Sequence, residues 1–344
     1  MIKSEVLRRT WADISLDAID YNFRKIREAA GGAMVMAIVK ADAYGHGAEK
    51  VANALYGIAD CFAVALPEEG AALRLSGIDK DILVLTRVGN TDLSLIADYG
   101  LIATACGAED IRAFALFSER SHKPLRTHIK FNTGMNRQGI TGLDELKAVL
   151  DRAAGTDVKI EGLYSHYACP ENDEERNNAT SKFLLANNLV KHYNNNALCH
   201  ISASGGVLSG EFFDMVRVGL LLYGYKPFPC DKIKVTPAMR VYAPVVCERT
   251  LSVGEGALYG LKKAEKPEML SLIRYGYADG LPRMEIERSF NNACMDVTAF
   301  RNLPRGARFV NVLDDAEKLA AEYGTIVYEL LTKAALRAEK IYLN

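Results

Sequence analysis

Between residues 34 and 218 short apolar and β-branched runs recur eight times, and this alternation constrains the fold more than anything else in the chain. The runs fall at 34–39, 61–66, 82–86, 101–105, 127–131, 160–165, 198–202 and 214–218, each too short for an ordinary helix. The stretches between them, such as 48–55, 68–75 and 143–153, carry apolar residues at helical spacing, with Gly near several of their ends. Strand then helix, repeated eight times, is the pattern of a closed parallel barrel, whereas a doubly wound sheet usually has fewer strands. The expected fold class is therefore α/β, an eight-stranded (β/α) TIM-type barrel.

A helix is expected over 16–30, ahead of the first barrel strand, with Ser15 as N-cap and Ile19, Phe23 and Ile26 on one face. After Pro227, Pro229 and Pro237 the alternation stops, and strand-like runs follow with short turns at 239–251, 269–275, 294–299 and 308–312. One late helix, 315–322 ahead of Gly324, interrupts them. The expected division is a barrel over 14–235 and a smaller, mainly β carboxyl-terminal domain over 236–344, joined by residues 1–13.

Charge removes several function classes. With 42 Lys+Arg against 43 Asp+Glu, there is no excess to hold a phosphate backbone or an anionic membrane, so neither nucleic acid nor membrane is an expected partner. The longest apolar runs fall far short of the roughly 18–20 residues a membrane helix needs. The amino terminus, MIKSEVLRRTWADI, interleaves charges with apolar residues and holds no signal-peptide core. Seven scattered cysteines, odd in number and never spaced CxxC, argue against a disulfide framework and a zinc site; a reducing cytoplasm fits them best.

In such a barrel the active site lies at the carboxyl ends of the strands. Lys40 closes AMVMAIVK, Lys130 closes THIK with Arg137 soon after, and His166 closes EGLYSH; Ser202 and Ser204 end LCHISAS, and Arg217 sits within DMVRVG. Taken singly, each reads as a solvated strand end, and His166 as a structural histidine; together they converge on one mouth. A lysine directly after an apolar strand is partly desolvated, which lowers its pKa and frees an amine for Schiff-base chemistry, although snorkelling is the plainer account of Lys40. Ser204-Gly205-Gly206 and Val218-Gly219 follow the last two strands, where barrels hold phosphate on backbone N–H groups, unless the glycines serve only the turns. An amine nucleophile, a phosphate pocket and cationic helpers are what pyridoxal 5'-phosphate requires.

The string AIVKADAYGHG at 37–47 closely resembles the pyridoxal-phosphate site of the alanine racemase family, the fold-type III enzymes. TWADISLDAIDYN near the start, then KFNTGMNRQG, GLYSHYA, MVRVGLLLYG, YGYADGLPR and CMD all fall in the family's order, so the resemblance runs almost end to end. It implies a pyridoxal-phosphate-dependent racemase that interconverts L- and D-alanine by two-base proton transfer at Cα, supplying D-alanine for peptidoglycan. Lys40 resembles the lysine that binds the cofactor covalently and then serves as one base; Tyr277 resembles the other, supplied in the family by the partner subunit of a homodimer. Inversion needs a proton to leave one face and arrive at the other, which two flanking bases accomplish. Arg217 resembles the arginine facing the pyridine nitrogen, with His166 as its hydrogen-bond partner. Tyr44, Ser204, Gly219, Leu220 and Tyr342 match phosphate-holding positions. Arg137 and the Met295 backbone N–H match groups that meet the substrate carboxylate, Lys130 matches a lysine carbamylated in some members, and Asp296 is a nearby carboxylate. Cys294 reads as packing.

The chain departs from the family at Asn132, where aspartate is common, at Ala203, where asparagine is common, and in the tail RAEKIYLN, which lacks the usual proline and arginine before Tyr342. These changes bear on substrate preference. A serine or broad-specificity racemase and a basic amino-acid decarboxylase share the fold; Tyr277 and the CMD string separate racemisation from decarboxylation. A non-catalytic pyridoxal-phosphate carrier needs only the barrel, and the added β domain argues against it.

Overall fold

The computed structural model describes residues 9–344; residues 1–8, which the sequence pattern joins to the β-rich part, lie outside the described residues. The chain forms two compact units, one of Ala18–Ala41 and Ala48–Thr236, the other of residues 9–17, Asp42–Gly47 and Pro237–Asn344.

Strand β1 (Trp11–Ser15) belongs to the second unit and leads into the helix Leu16–Ala29. The first unit is a barrel of eight strands: β2 (Met34–Ile38), β3 (Cys61–Val64), β4 (Ile82–Arg87), β5 (Ile102–Ala105), β6 (Leu125–Lys130), β7 (Val158–Tyr164), β8 (Leu198–His200) and β9 (Met215–Val218). Each pairs in parallel with its neighbour in sequence from β2 to β8, and β9 returns to pair with β2. At the β8/β9 seam Asp214 N–H donates to Cys199 O at 3.0 Å and Arg217 N–H to Ser202 O at 2.9 Å, so the barrel is nearly closed. The Asp214 carboxylate accepts the Cys199 N–H at 2.7 Å and tightens the same seam. All eight expected strands are present, with ends that differ by a residue or two.

Burial on both faces explains why these strands read as apolar runs: every residue of β3, β5 and β9 is buried. The helix Leu16–Ala29 buries Ile19, Phe23 and Ile26 as its periodicity requires, and with them Asn22. The Asn22 amide donates to Leu222 O at 3.1 Å and Thr236 O at 2.8 Å, and its oxygen accepts Thr236 N–H at 2.7 Å. One buried side chain thus secures the segment that follows the last barrel strand.

The second unit holds β10 (Met239–Leu251), a small hairpin of β11 (Gly256–Ala257) and β12 (Lys262–Lys263), then β13 (Glu268–Ile273), β14 (Thr298–Arg301), β15 (Phe309–Asn311) and β16 (Glu339–Leu343). Its sheet runs β14-β13-β10-β1-β16, with β15 also on β10. The long strand β10 is shared by three neighbours, which makes it the spine of the unit. The run expected at 294–299 becomes a strand only from Thr298, because Cys294 N–H turns back to Val297 O at 2.9 Å. The helix Val327–Ala334 and strand β16 carry weak sequence signals: the helix has Ile326 at its N-cap position without a side-chain cap bond, and β16 is short and largely half-exposed. Among the described residues no helix is long and apolar enough to cross a membrane.

Replacing Asn22 with the similarly sized but apolar Leu leaves the buried Leu222 carbonyl and the partly buried carbonyl and N–H of Thr236 without these partners. Asn22→Leu should lower the stability of the barrel unit by about 2–4 kcal/mol in urea unfolding; an unchanged midpoint would show that the contacts are dispensable.

Candidate active site

The polypeptide leaves β2 through Val39, whose N–H donates to Ala63 O at 2.9 Å, and then makes a five-residue turn, Lys40–Tyr44. Ala41, Asp42, Ala43 and Tyr44 all have φ between 50° and 55°, so this is a left-handed turn built from L-residues without glycine. Each residue there costs roughly 1–2 kcal/mol, and the surrounding contacts must over-determine the shape. Glu69 accepts the Ala41 N–H at 2.6 Å on one oxygen and the Ala65 N–H at 2.7 Å on the other. Gly47 N–H returns to Asp42 O at 2.9 Å. The His46 Nδ1–H faces two carbonyls, Ala43 O at 2.9 Å and Tyr44 O at 3.1 Å, and Lys340 pairs with Asp42. Gly47, at φ 94°, has no room for a Cβ because the Tyr342 hydroxyl occupies that space. Tyr44 is buried with its ring edge-on to Tyr328 at 5.7 Å. Burial holds its hydroxyl protonated above the usual tyrosine range.

Within the barrel, Arg217 on β9 is completely enclosed and donates to five acceptors. Nη1 reaches His200 Nδ1 at 2.7 Å and His200 O at 3.2 Å; Nη2 reaches Ser165 O at 2.6 Å, Ile201 O at 3.0 Å and His166 Nδ1 at 3.2 Å. All five are neutral, and among the described residues no carboxylate pairs with this guanidinium. Burial pulls its pKa down to about 10. Because His200 accepts on Nδ1, its Nε2–H is left to donate to His128 Nδ1 at 3.0 Å. Burial depresses both histidines, His128 to about 3, so both are neutral.

Tyr164 is the hub of the same interior. Lys130 Nζ lies over its ring at 4.3 Å, the Arg217 guanidinium at 5.4 Å, and His200 stacks on it at 5.3 Å. The Tyr164 hydroxyl donates to Leu85 O at 2.8 Å and lies 2.9 Å from Thr104 Oγ1. Lys130 is buried, and burial, then the Arg217 and Arg137 charges, push its pKa well down. Lys40 is lowered by burial, then Arg137, with Glu69 opposing. His166 is depressed by burial and by the cations around it, Arg217 first.

Arg137 stands on the loop after β6. That loop is shaped by Asn132, whose oxygen accepts the Gly134 N–H at 3.1 Å and the Asn136 N–H at 3.0 Å while its amide donates to Asn136 Oδ1 at 2.8 Å and Thr141 Oγ1 at 3.2 Å. An aspartate would accept the first pair and lose the second. At the other end of the set, Ser204 Oγ accepts the N–H groups of Gly219 and Leu221, both at 3.3 Å, which draws the loop after β9 to the start of the short helix Ser204–Ser209; Leu220 is buried between them.

In the β-rich unit Tyr277 opens a 3-10 turn, Tyr277–Asp279, with 40% of its surface exposed, and Met295 is 54% exposed. Asp296 accepts from Arg337 at 2.8 Å. Sequence reasoning does not pick out Glu69, Tyr164, His128 or His200. Only Glu69 has a local signal, the Pro67-Glu68-Glu69 start of its helix; the others lie inside barrel strands and look like ordinary strand residues.

After burial, the charges of Arg137 and Arg217 both lower the pKa of Lys40 and of Lys130. Positive groups gathered at one rim attract anions, and a phosphate plus a substrate carboxylate supply such charge. The amine, the buried guanidinium without a carboxylate and the glycine-bearing loops fit pyridoxal phosphate. Barrel, strand-end lysine and cationic interior together define a pyridoxal-phosphate enzyme acting on an amino acid.

Comparison with known proteins narrows this class. The alanine racemase N-terminal domain pattern matches residues 14–227 and the C-terminal domain pattern residues 238–342. Alanine racemases of Aquifex pyrophilus and Staphylococcus epidermidis are each 30% identical, with 98% and 97% of this chain and 99% and 95% of theirs covered. The solved alanine racemase of Clostridium difficile 630 superimposes with a TM-score of 0.91 at 25% identity, covering 97% of this chain and 96% of that one. The biosynthetic alanine racemase of Pseudomonas aeruginosa gives 0.86 at 29% identity, covering 98% of this chain and all of the other. The chain belongs to the alanine racemase family and is a pyridoxal-phosphate-dependent amino-acid racemase.

The buried histidines generate a pH prediction. His128 and His46 have folded pKa values of about 3 and about 4, below the usual histidine value of 6.5, with burial the main cause. Their neutral forms favour folding, so this stabilisation is complete above pH ~6.5 and is lost as pH falls toward the folded values, at about 1.4 kcal/mol per pH unit for each. Urea midpoints should drop steadily from pH 6.5 to 5, and less steeply in His128→Gln; equal slopes would show that His128 is not held neutral.

Proposed function

We propose that the chain racemises alanine, with Lys40 and the partner's Tyr277 as the two bases of a homodimer with shared sites. The observation that carries this reading is the match of both family patterns in sequence order, with Lys40 presented on a rigid turn and Tyr277 on an exposed one. The expected division of labour follows: the barrel over 14–235 holds the cofactor, and the β-rich domain over 236–344 with 1–13 serves the neighbouring subunit.

Bound pyridoxal phosphate withdraws electrons from the substrate Cα and so makes its proton removable. Lys40 Nζ would hold the cofactor, and the same amine is placed to take or return the Cα proton on one face. Its depressed pKa makes the neutral, proton-accepting form accessible. The Tyr277 hydroxyl does the same on the opposite face. Arg217, tied by five hydrogen bonds, cannot turn away; it would face the pyridine nitrogen of a bound cofactor, where its charge would disfavour ring protonation and transamination. His166 helps to fix that guanidinium. Tyr44, Ser204, Tyr342 and the backbone N–H groups of Gly219 and Leu220 hold phosphate; Arg137 and the Met295 N–H hold the substrate carboxylate. Lys130, buried and easily neutral, is suited to carbamylation, which would let it orient Arg137. The free cysteines support a cytoplasmic setting, in which the D-alanine would serve peptidoglycan.

Alanine should be turned over faster than serine, since an added hydroxyl in such a pocket is worth only about 1–3 kcal/mol, and lysine hardly at all. Comparable kcat/KM for alanine and lysine would overturn the alanine reading. Borohydride reduction of the holoenzyme should fix the cofactor on Lys40, as peptide mapping will report; a label on another lysine removes Lys40 from its role.

The shared site is tested by subunit mixing. Lys40→Ala and Tyr277→Phe homodimers should each be inactive, yet a hybrid has one site with both lesions and one with neither. Random reassortment therefore returns roughly a quarter of wild-type activity. Verified hybrids without activity would place Tyr277 within its own chain or outside the chemistry.

A further inference from the structure

The turn that carries Tyr277 and the loop that carries Met295 are locked to each other. Tyr277 N–H donates to Cys294 O and Ala278 N–H to Met295 O, both at 3.0 Å, and a Cβ at Gly276 would overlap the carbonyls of Cys294 and Met295. Asp279 closes the turn by accepting the Gly276 N–H at 2.9 Å, although the residue is buried. A single guanidinium reaches both pieces: Arg337 Nε lies 3.4 Å from Asp279 Oδ1, and Arg337 Nη1 donates to Asp296 Oδ1 at 2.8 Å. Arg337 follows the helix Val327–Ala334, and the Lys333 carbonyl in that helix fills the space where Gly280 would carry a Cβ. The turn, the loop and the helix end therefore meet at one side chain.

We infer that Arg337 is a positioning residue for racemisation: its fork holds the Tyr277 turn and the Met295 loop at a fixed spacing, so that the tyrosine hydroxyl and the Met295 N–H meet one substrate together. This rests on the reading of Tyr277 as the second base. With 46% of the arginine side chain accessible, its pair with the exposed Asp296 adds little to stability. Its effect is geometric, because displacement of a catalytic group by an ångström costs on the order of 100-fold in rate. Asp279 also depends on it. Burial raises that carboxyl, and Gly276 N–H and Arg337 oppose the rise, so removing Arg337 favours a protonated Asp279 that holds the turn less firmly. Lysine offers a point charge without the fork and cannot span the two carboxylates in the same way.

The experiment follows exchange of the Cα proton for deuterium in D2O, by proton NMR on each alanine enantiomer, alongside racemisation, thermal midpoint and the absorbance of the loaded cofactor. In Tyr277→Phe the enantiomer whose proton faces Lys40 should still exchange with retention, the proton passing to Lys40 Nζ and a deuteron returning, while the other enantiomer and racemisation are silenced. Arg337→Ala should leave the midpoint, the absorbance and the Lys40-side exchange near wild type, and slow the Tyr277-side exchange and racemisation by about 10–100-fold. Arg337→Lys should fall between, and Arg337→Ala added to Tyr277→Phe should change the surviving exchange no further. Should Arg337→Ala prove unstable, Asp296→Asn, which removes an exposed partner, should give the same one-sided loss at smaller size. Full activity in Arg337→Ala with Tyr277→Phe silent overturns the positioning role and keeps the base. Full activity in Tyr277→Phe removes the base reading and this inference with it. Equal slowing of both exchanges shows a general structural effect and also overturns the inference.

Discussion

The structure turns on a buried cation, Arg217, that no carboxylate pairs with among the described residues. Arg217 gives up the solvation of a full charge and recovers it from five neutral acceptors, three of them main-chain carbonyls at the ends of neighbouring strands. Those carbonyls are available only because β7, β8 and β9 end together at one rim, so barrel closure and placement of the guanidinium are one event. The histidines complete the arrangement. A protonated His200 or His166 could not accept from Arg217, and the same burial that lowers the arginine keeps the rings neutral.

Much of this is legible in the order of the residues, and the reason is periodicity. Strands buried on both faces leave continuous apolar runs, and helices laid against them leave helical spacing, so all eight barrel strands and the face of the helix Leu16–Ala29 can be read from the residues. The strand-end rule then singles out Lys40, Lys130, His166, Ser204 and Arg217. What stays hidden is what depends on distant partners. His128 and His200 sit 72 residues apart and meet only because β6 and β8 flank β7. The helix Val327–Ala334 and β16 lack caps and strong alternation, and take their form from the unit around them.

The left-handed turn has no sequence signal at all. Of Ala41-Asp42-Ala43-Tyr44 only Asp42 is a residue type that tolerates positive φ, and without glycine local propensity argues against the run. The conformation is imposed by long-range contacts: Glu69 at its start, Lys340 and Tyr342 further along. The tail departs from the family just before Tyr342, yet Lys340 there pairs with Asp42 and Tyr342 packs on Gly47, so the tail still supports the turn.

The two groups assigned to proton transfer are presented by the same device. Lys40 begins a tight turn whose first free N–H, from Ala41, is accepted by Glu69; Tyr277 begins one whose flanking N–H, from Gly276, is accepted by Asp279. In each case a carboxylate fixes main chain, not the reactive side chain. A base packed into a core would be rigid but closed to substrate, and one on a free loop would be open but poorly aimed. Carboxylate-pinned turns separate those requirements: the backbone is held within an ångström or so while the terminal amine or hydroxyl stays accessible. Proton transfer is sensitive to distance on that scale, so under the proposed assignment of Lys40 and Tyr277 the pinning carboxylates are positioning residues.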